Sequence, residues 1–177
     1  MKAVLFDFNG TLYNDTALHM AAWKNFFRKF FDMKLTDEEV FRRCIGPSNA
    51  DIFADFFHGT LPEAEVARLS GEKEKEYLAA ARSDPKNLQL MDGVPEMFDR
   101  MTESGVPFAL DTASPIGNVE FYLEDLGLKR WFTLDRIVYD EGTLPCKPDP
   151  AFYIEAARRL GLTPRECVIV EDSRTGI

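Results

Sequence analysis

This sequence has few cysteines, no long hydrophobic run and a shortage of basic residues. The cysteines are Cys44, Cys146 and Cys167, and because they are isolated and show no CxxC spacing, the sequence predicts neither a zinc site nor a disulfide framework. No apolar run approaches the ~20 residues that a membrane-spanning helix needs, and no signal peptide precedes the first predicted strand. We therefore expect a reduced, cytoplasmic protein without a membrane partner.

The shortage of basic charge argues against further classes of partner. Acidic residues outnumber basic ones by 30 to 21, which gives a formal net charge of −9. Such a balance argues against a nucleic-acid surface and against an anionic membrane. A phosphorylated small molecule is still a possible partner, because a locally positive pocket can bind phosphate on a protein whose net charge is negative. The 45% hydrophobic and 12% aromatic content predicts a folded core. No oligomeric state follows from the sequence.

The order of the predicted elements indicates an α/β fold with a helical insertion. Residues 3–6 form a short apolar run, typical of a buried parallel strand, and helical periodicity without strand signals follows over residues 13–85. Further strands are predicted at residues 106–110, 136–139 and 167–170, separated by helices. Alternating strands and helices imply a parallel sheet. We expect a Rossmann-like core formed by residues 1–12 and 86–177, with a helical domain at 13–85.

Helix boundaries are predicted from capping residues. Asn14 or Asp15 is expected to cap the first helix of the insertion, and Thr36 with Glu39 fits a capping box. Ser114 is predicted to cap a later helix, with proline at its first position. A helix that begins there would offer backbone N–H groups to a phosphate.

Polar side chains follow each predicted strand at the point where the strand ends. In order along the chain they are Asp7 and Asn9, Thr112 and Ser114, Lys147 in the loop after the third strand, and Glu171 and Asp172. Ligands bind at the carboxyl ends of strands in open α/β sheets. Carboxylate oxygens suit Mg²⁺, and a lysine supplies a point charge for phosphate. The pattern predicts a site for Mg²⁺ and phosphate, in which Asp7 is a nucleophile, a metal ligand or both.

Four motifs occur at these positions. They are FDFNGTL at residues 6–12, LDTAS at 110–114, KPD at 147–149 and VEDSRTGI at 170–177. With them the sequence resembles the haloacid dehalogenase-like (HAD) hydrolase superfamily, in the subgroup that contains β-phosphoglucomutase and phosphoglycolate phosphatase. The resemblance covers nearly the whole chain. It implies that the helical insertion is a cap domain that closes over the substrate.

The resemblance also implies roles for individual residues. Asp7 would attack phosphorus and become an aspartyl-phosphate, while Thr112 and Lys147 would hold the transferring group. The implied catalytic set is Asp7, Asn9, Thr112 and Lys147. The implied Mg²⁺ ligands are Asp7, Asn9 through its backbone carbonyl, Glu171 and Asp172. The implied substrate-binding set is Gly10, Thr112, Ala113, Ser114, Lys147, His19 and Asn49.

The sequence departs from the family pattern at three positions. Asn9 stands where the phosphotransferase members carry an acid–base aspartate, and an amide can neither donate nor accept the proton. An engineered substitution, a variant with another proton carrier such as His19, and a natural non-catalytic binder are the three explanations. Asp111 stands where a small or apolar residue is usual. Asn49 stands near the position of a phosphate-binding arginine of β-phosphoglucomutase, which favours a phosphatase, although Arg42 and Arg43 are close in sequence.

We therefore expect a Mg²⁺-dependent phosphatase of a small phosphorylated metabolite. A sugar-phosphate mutase and a non-catalytic phosphate-binding protein are the alternatives, and a dehalogenase is disfavoured because Glu171 and Asp172 suit a metal. Family members continue past this motif with a helix and a further strand. We accordingly expect the C-terminal end of the core to be missing here, with an exposed apolar edge on the fourth strand.

Overall fold

The computed structural model describes residues 2–173 and 176 and divides the chain into two compact units. The sheet unit comprises residues 1–14 and 88–177, and the helical unit comprises residues 15–87. The strands are β1 (Ala3–Asp7), β2 (Phe108–Pro115), β3 (Ile137–Asp140) and β4 (Cys167–Val170). The α-helices are α1 (Thr16–Phe31), α2 (Asp37–Cys44), α3 (Asn49–Phe57), α4 (Glu63–Ser83), α5 (Val94–Glu103), α6 (Ile116–Glu124) and α7 (Ala151–Arg159).

Within the described part of the sheet unit, the strands form one sheet in the order β3-β2-β1-β4. All pairs are parallel, and Asp7 of β1 lies opposite Asp111 of β2. Parallel strands present their carboxyl ends at the same edge, so the residues that end β1, β2 and β4 come together. The predicted α/β fold with a parallel sheet is confirmed.

Helices cover both faces of this sheet. On one face, Phe152 and Ala156 of α7 pack against Leu5 and Val138. On the other face, the ring of Phe98 in α5 lies 5.4 Å from that of Phe6. Burial on both faces explains why the central strands are continuous apolar runs instead of alternating patterns.

The second strand differs from its prediction. We expected it to end at residue 110, but β2 continues through Pro115, with an irregular register against β3 between Asp111 and Pro115. The expectation that Ser114 caps a helix is wrong, because Pro115 takes the N-cap position and α6 begins at Ile116. The Ser114 backbone N–H donates to the Thr112 hydroxyl at 3.1 Å, so it is directed into the strand end.

The fourth strand lies at an edge of the sheet and pairs with β1. Val168, Ile169 and Val170 are 38–44% exposed there. The apolar edge expected for this strand is present among the described residues.

Aromatic side chains build the core of the helical unit. Trp23, Phe26 and Phe27 of α1 are fully buried and pack against Phe53 of α3. Ring centroids in this cluster are 5.5 to 5.7 Å apart, within the usual range for aromatic pairs. Among the described residues, no helix combines the length and the apolar character required to cross a membrane.

Capping explains one helix start in this unit and not another. The predicted capping box is present at α2, where Thr36 and Glu39 satisfy each other's backbone N–H groups. Asp15 precedes α1 as predicted but makes no capping hydrogen bond with its side chain. Its carboxylate instead accepts a hydrogen bond of 2.7 Å from the Tyr77 hydroxyl.

We predict that Phe26→Ala lowers the free energy of unfolding by about 3–5 kcal/mol, because the ring is fully buried and its loss leaves a cavity. The matched control is Phe41→Ala, since Phe41 lies in the same unit and is 59% exposed. Urea unfolding followed by circular dichroism measures both. Equal losses in the two variants would contradict this account of the core.

Candidate active site

Lys147 is the centre of the cluster at the carboxyl edge of the sheet. Its Nζ lies 2.6 Å from Asp7 Oδ1, 2.8 Å from Asp111 Oδ1 and 2.9 Å from Glu171 Oε2. The lysine side chain is only 9% exposed, so water screens these charges weakly. Burial lowers the pKa of Lys147, but the carboxylates of Asp111 and Asp7 outweigh it and raise the pKa above its usual value. The ammonium therefore stays charged.

Asp7 is suited to act as a nucleophile. Its Oδ1 accepts a hydrogen bond from Lys147, whereas its Oδ2 is buried and has no hydrogen-bond partner among the described residues. Burial raises the pKa of Asp7 to about 6, against the opposing charge of Lys147. A buried carboxylate oxygen without a hydrogen-bond donor is an unsatisfied acceptor, so its lone pairs are available to an incoming group.

Asp111 belongs to the same cluster. Its side chain is fully buried, and burial raises its pKa to about 7 despite the nearby Lys147. The sequence alone does not show where the Asp111 side chain points. The available signal was its position in an apolar strand directly before Thr112, and the register that aligns it with Asp7 accounts for its direction.

An acidic cluster suited to a metal ion lies beside Lys147. One carboxylate oxygen from each of Asp7, Glu171 and Asp172 lies within 4.8 Å of the others. Gly10 has a φ of +85°, and a Cβ there would collide with the Asp172 carboxylate, so the turn must be glycine for Asp172 to approach. The orphaned Oδ2 of Asp7 and the carboxylate donor set both fit Mg²⁺.

Glu171 differs from the other two acidic residues because its oxygens are occupied. Oε1 accepts from the backbone N–H and the hydroxyl of Ser173, at 3.0 and 2.7 Å. Oε2 accepts from Lys147 and from the Tyr153 hydroxyl. A carboxylate offers about four lone-pair positions, so Glu171 is better suited to orient Lys147 than to bind a metal directly.

Asn9 is held by three hydroxyl groups. Its Oδ1 accepts from Thr112 at 2.8 Å and from Ser114 at 3.2 Å, and its Nδ2 donates to the Tyr122 hydroxyl at 3.0 Å. The hydroxyls of Ser114 and Tyr122 are 2.9 Å apart. These hydrogen bonds form a closed ring that runs from Asn9 Nδ2 to Tyr122, to Ser114 and back to Asn9 Oδ1. We call it the hydroxyl ring, and it requires both a donor and an acceptor at position 9. An amide supplies both, and an ionised carboxylate supplies acceptors alone.

The structure brings the other predicted residues of the sheet unit to the same edge. Thr112 is fully buried, Ala113 follows it on β2, and Gly10 closes the turn after β1. The Thr112 hydroxyl donates to Asn9, so it would have to change its acceptor in order to donate to a phosphoryl oxygen.

His19 and Asn49 lie in the helical unit. His19 stacks on Tyr77 at 4.0 Å, with its Nδ1 2.9 Å from Lys73 Nζ and its Nε2 3.3 Å from an Asp15 oxygen. Asn49 is the first residue of α3 and donates to Glu74 Oε1 at 2.7 Å.

These side chains thus have partners within their own unit. Their assignment to substrate binding stays a prediction. The ring nitrogens of His19 face Lys73 and Asp15, which gives them a local structural role. The nearby Arg43 is also engaged, because it pairs with Asp55 at 2.7 Å.

Comparison with known proteins gives consistent matches. A family model described as haloacid dehalogenase-like hydrolase matches residues 1–177. The validoxylamine A 7'-phosphate phosphatase of Streptomyces hygroscopicus subsp. limoneus is 28% identical, over 99% of this chain and 79% of its own length. The β-phosphoglucomutase of Bacillus subtilis is 27% identical, over 100% of this chain and 77% of its own length. A solved HAD hydrolase of family IA, variant 3, from Entamoeba histolytica has a TM-score of 0.89 and 32% identity, covering 100% of this chain and 78% of that one.

Fold and site together define an α/β protein with a lysine-centred acidic cluster at the carboxyl edge of a parallel sheet. The chain belongs to the haloacid dehalogenase-like hydrolase family. The family and the hydrolase class predicted from the four motifs are confirmed.

The raised pKa values of Asp7 and Asp111 predict a pH dependence of stability. A carboxyl group whose pKa is higher in the folded than in the unfolded chain binds more protons when folded, so its contribution to stability is lost as pH rises through the folded pKa. The values of about 6 and about 7 lie between pH 5 and 8, whereas those of Glu155 and Glu166, about 2, lie below this window. In EDTA, the free energy of unfolding should fall by about 1–4 kcal/mol from pH 5 to pH 8.

Urea unfolding at the two pH values measures this change. The Asp111→Asn variant should show a smaller decrease, because it lacks one of the two titrating groups. A stability that rises over the same interval would contradict the assigned charges.

Proposed function

We propose that this protein is a Mg²⁺-dependent phosphatase of a small phosphorylated metabolite that acts through an aspartyl-phosphate on Asp7. The observation that carries the proposal is the Asp7 carboxylate, with one oxygen held by Lys147 and the other buried without a hydrogen-bond donor from the described residues. The carboxylate oxygen forms a bond to phosphorus as the bond to the ester oxygen breaks. Water then cleaves the acyl-phosphate and releases phosphate.

Asp7 and Asp172 would hold Mg²⁺, together with the backbone carbonyl of Asn9. The ion supplies positive charge that offsets the repulsion between a phosphate and an attacking carboxylate. Glu171 would contribute by orienting Lys147, because its lone pairs are taken by Ser173, Tyr153 and Lys147.

Lys147 and Thr112 would hold the transferring phosphoryl group. The ammonium already lies 2.6 Å from the nucleophile, so a phosphoryl group bound to Lys147 would be next to Asp7. Gly10, Ala113 and Ser114 complete the proposed phosphate pocket. We also propose a cytoplasmic location, which the isolated cysteines favour. We propose in addition that the protein has no nucleic-acid partner.

Asn9 limits turnover in this account. Neither protonation of the leaving alcohol nor activation of water is available from an amide, and such help is worth ~10²–10⁴-fold in rate. The hydroxyl ring around Asn9 supports the alternative of a phosphate-binding protein with little turnover, because the ring uses both groups of the amide. The similarity to a β-phosphoglucomutase supports a mutase as the other alternative.

We predict that Asn9→Asp increases Mg²⁺-dependent phosphate release from small phosphate esters by ~10²–10⁴-fold, because a carboxyl group can carry the proton. The matched control is the double variant Asn9→Asp with Asp7→Asn, which should lose the gain. A panel of sugar phosphates and phosphoglycolate, assayed for inorganic phosphate, measures the effect.

The possible outcomes separate the three functions. A native protein as fast as Asn9→Asp would contradict the proposed role of position 9. Conversion of a sugar phosphate into its isomer without phosphate release would favour the mutase. Binding without release in both forms would favour the binding protein.

A further inference from the structure

Asp111 is a buried charge that the proposed reaction does not use. Its side chain is 0% exposed, and Lys147 Nζ lies 2.8 Å from its Oδ1. Neither oxygen of Asp111 has a partner of hydrogen-bond geometry among the described residues. The Lys147 ammonium offsets this charge, but a buried carboxylate is costly even when it is paired, so a charge retained at this place needs a reason.

The contacts of Lys147 indicate what that charge does. An ammonium has three N–H donors, and three carboxylates surround this one at 2.6 to 2.9 Å. Hydrogen bonds to Asp7 and Glu171 use two of these donors, so a phosphoryl oxygen that binds the third takes a position beside Asp111. Asp7 is the nucleophile of the proposed reaction, and Glu171 is held by Tyr153 and Ser173. Asp111 is the remaining competitor.

Charge adds to this competition. The carboxylates of Asp7, Asp111, Glu171 and Asp172 share the edge with the Lys147 ammonium. Asp111 cannot turn to water when phosphate arrives, because its side chain is fully buried. At a pH above the pKa of Asp111, its negative charge therefore stays beside the phosphate, in a region where charges interact more strongly than in water.

We propose that Asp111 is a positioning residue that competes with phosphate for Lys147 and thereby weakens the affinity of this site for phosphate. This inference rests on the proposed function, since it assumes that phosphate binds at Lys147. Its consequence is a site that releases inorganic phosphate readily after each reaction.

A purely structural role predicts the opposite effect. If Asp111 served only to hold Lys147 in place, its removal would loosen the ammonium and weaken phosphate binding. The two roles therefore differ in the sign of one measurable quantity, the dissociation constant for inorganic phosphate.

The test is isothermal titration of inorganic phosphate into the native protein and into Asp111→Asn, in EDTA and again with Mg²⁺. The amide has nearly the same shape as the carboxylate and no charge. We expect Asp111→Asn to bind phosphate at least about tenfold more tightly, or about 1.4 kcal/mol. The matched control is Asp135→Asn, an exposed position in the same unit that changes the net charge equally. This control should bind phosphate as the native protein does.

An unchanged or weaker affinity in Asp111→Asn would overturn the inference while leaving the proposed function intact. If Asp111→Asn fails to fold, Asp111→Ala serves in its place, and the same tightening is expected. Absence of phosphate binding in the native protein and in both Asp111 variants would refute the proposed function, and this inference with it.

Discussion

The interaction of the Lys147 ammonium with three buried carboxylates is the constraint on which the site depends. Without this cation, Asp7, Asp111 and Glu171 would be buried charges of the same sign with no compensation, a costly arrangement in a protein interior. The parallel register brings Asp7 and Asp111 side by side, and the loop after β3 brings Lys147 to both. The fold thus places the proposed nucleophile Asp7, its counter-charge Lys147 and the carboxylate of Asp111 close together.

The hydroxyl ring around Asn9 occupies both groups of the amide at the position proposed to control turnover. Thr112, Ser114 and Tyr122 hold the amide in one orientation, in which both its donor and its acceptor are used. The hydroxyls of Thr112 and Ser114, which are proposed to bind phosphate, donate to this amide, whereas the Lys147 ammonium lies among carboxylates. In the proposed reaction, position 9 controls proton transfer, and Lys147 with the acidic cluster controls affinity.

The sequence predicted the sheet and the set of charged residues at its edge, because apolar runs and strand ends are local signals. The predicted end of β2 was wrong, because the strand continues through polar residues whose burial comes from neighbouring strands. Ser114 was misassigned for the same reason, since its partners Asn9 and Tyr122 are distant in sequence. The direction of Asp111 depends on register and was not predictable from its neighbours. The lone pairs of Glu171 are all occupied in part because the Tyr153 hydroxyl donates to it, and Tyr153 lies outside the four motifs.

Trapping the covalent intermediate shows directly whether Asp7 is the nucleophile. The native protein is incubated with Mg²⁺ and acetyl phosphate, whose leaving group needs no proton from position 9, and is then analysed by peptide mass spectrometry. We predict one added phosphoryl group on Asp7, absent in Asp7→Asn and shorter-lived in Asn9→Asp, because the amide cannot activate water. No adduct in any of these proteins, or an adduct on another residue, would contradict the assignment of Asp7 as the nucleophile.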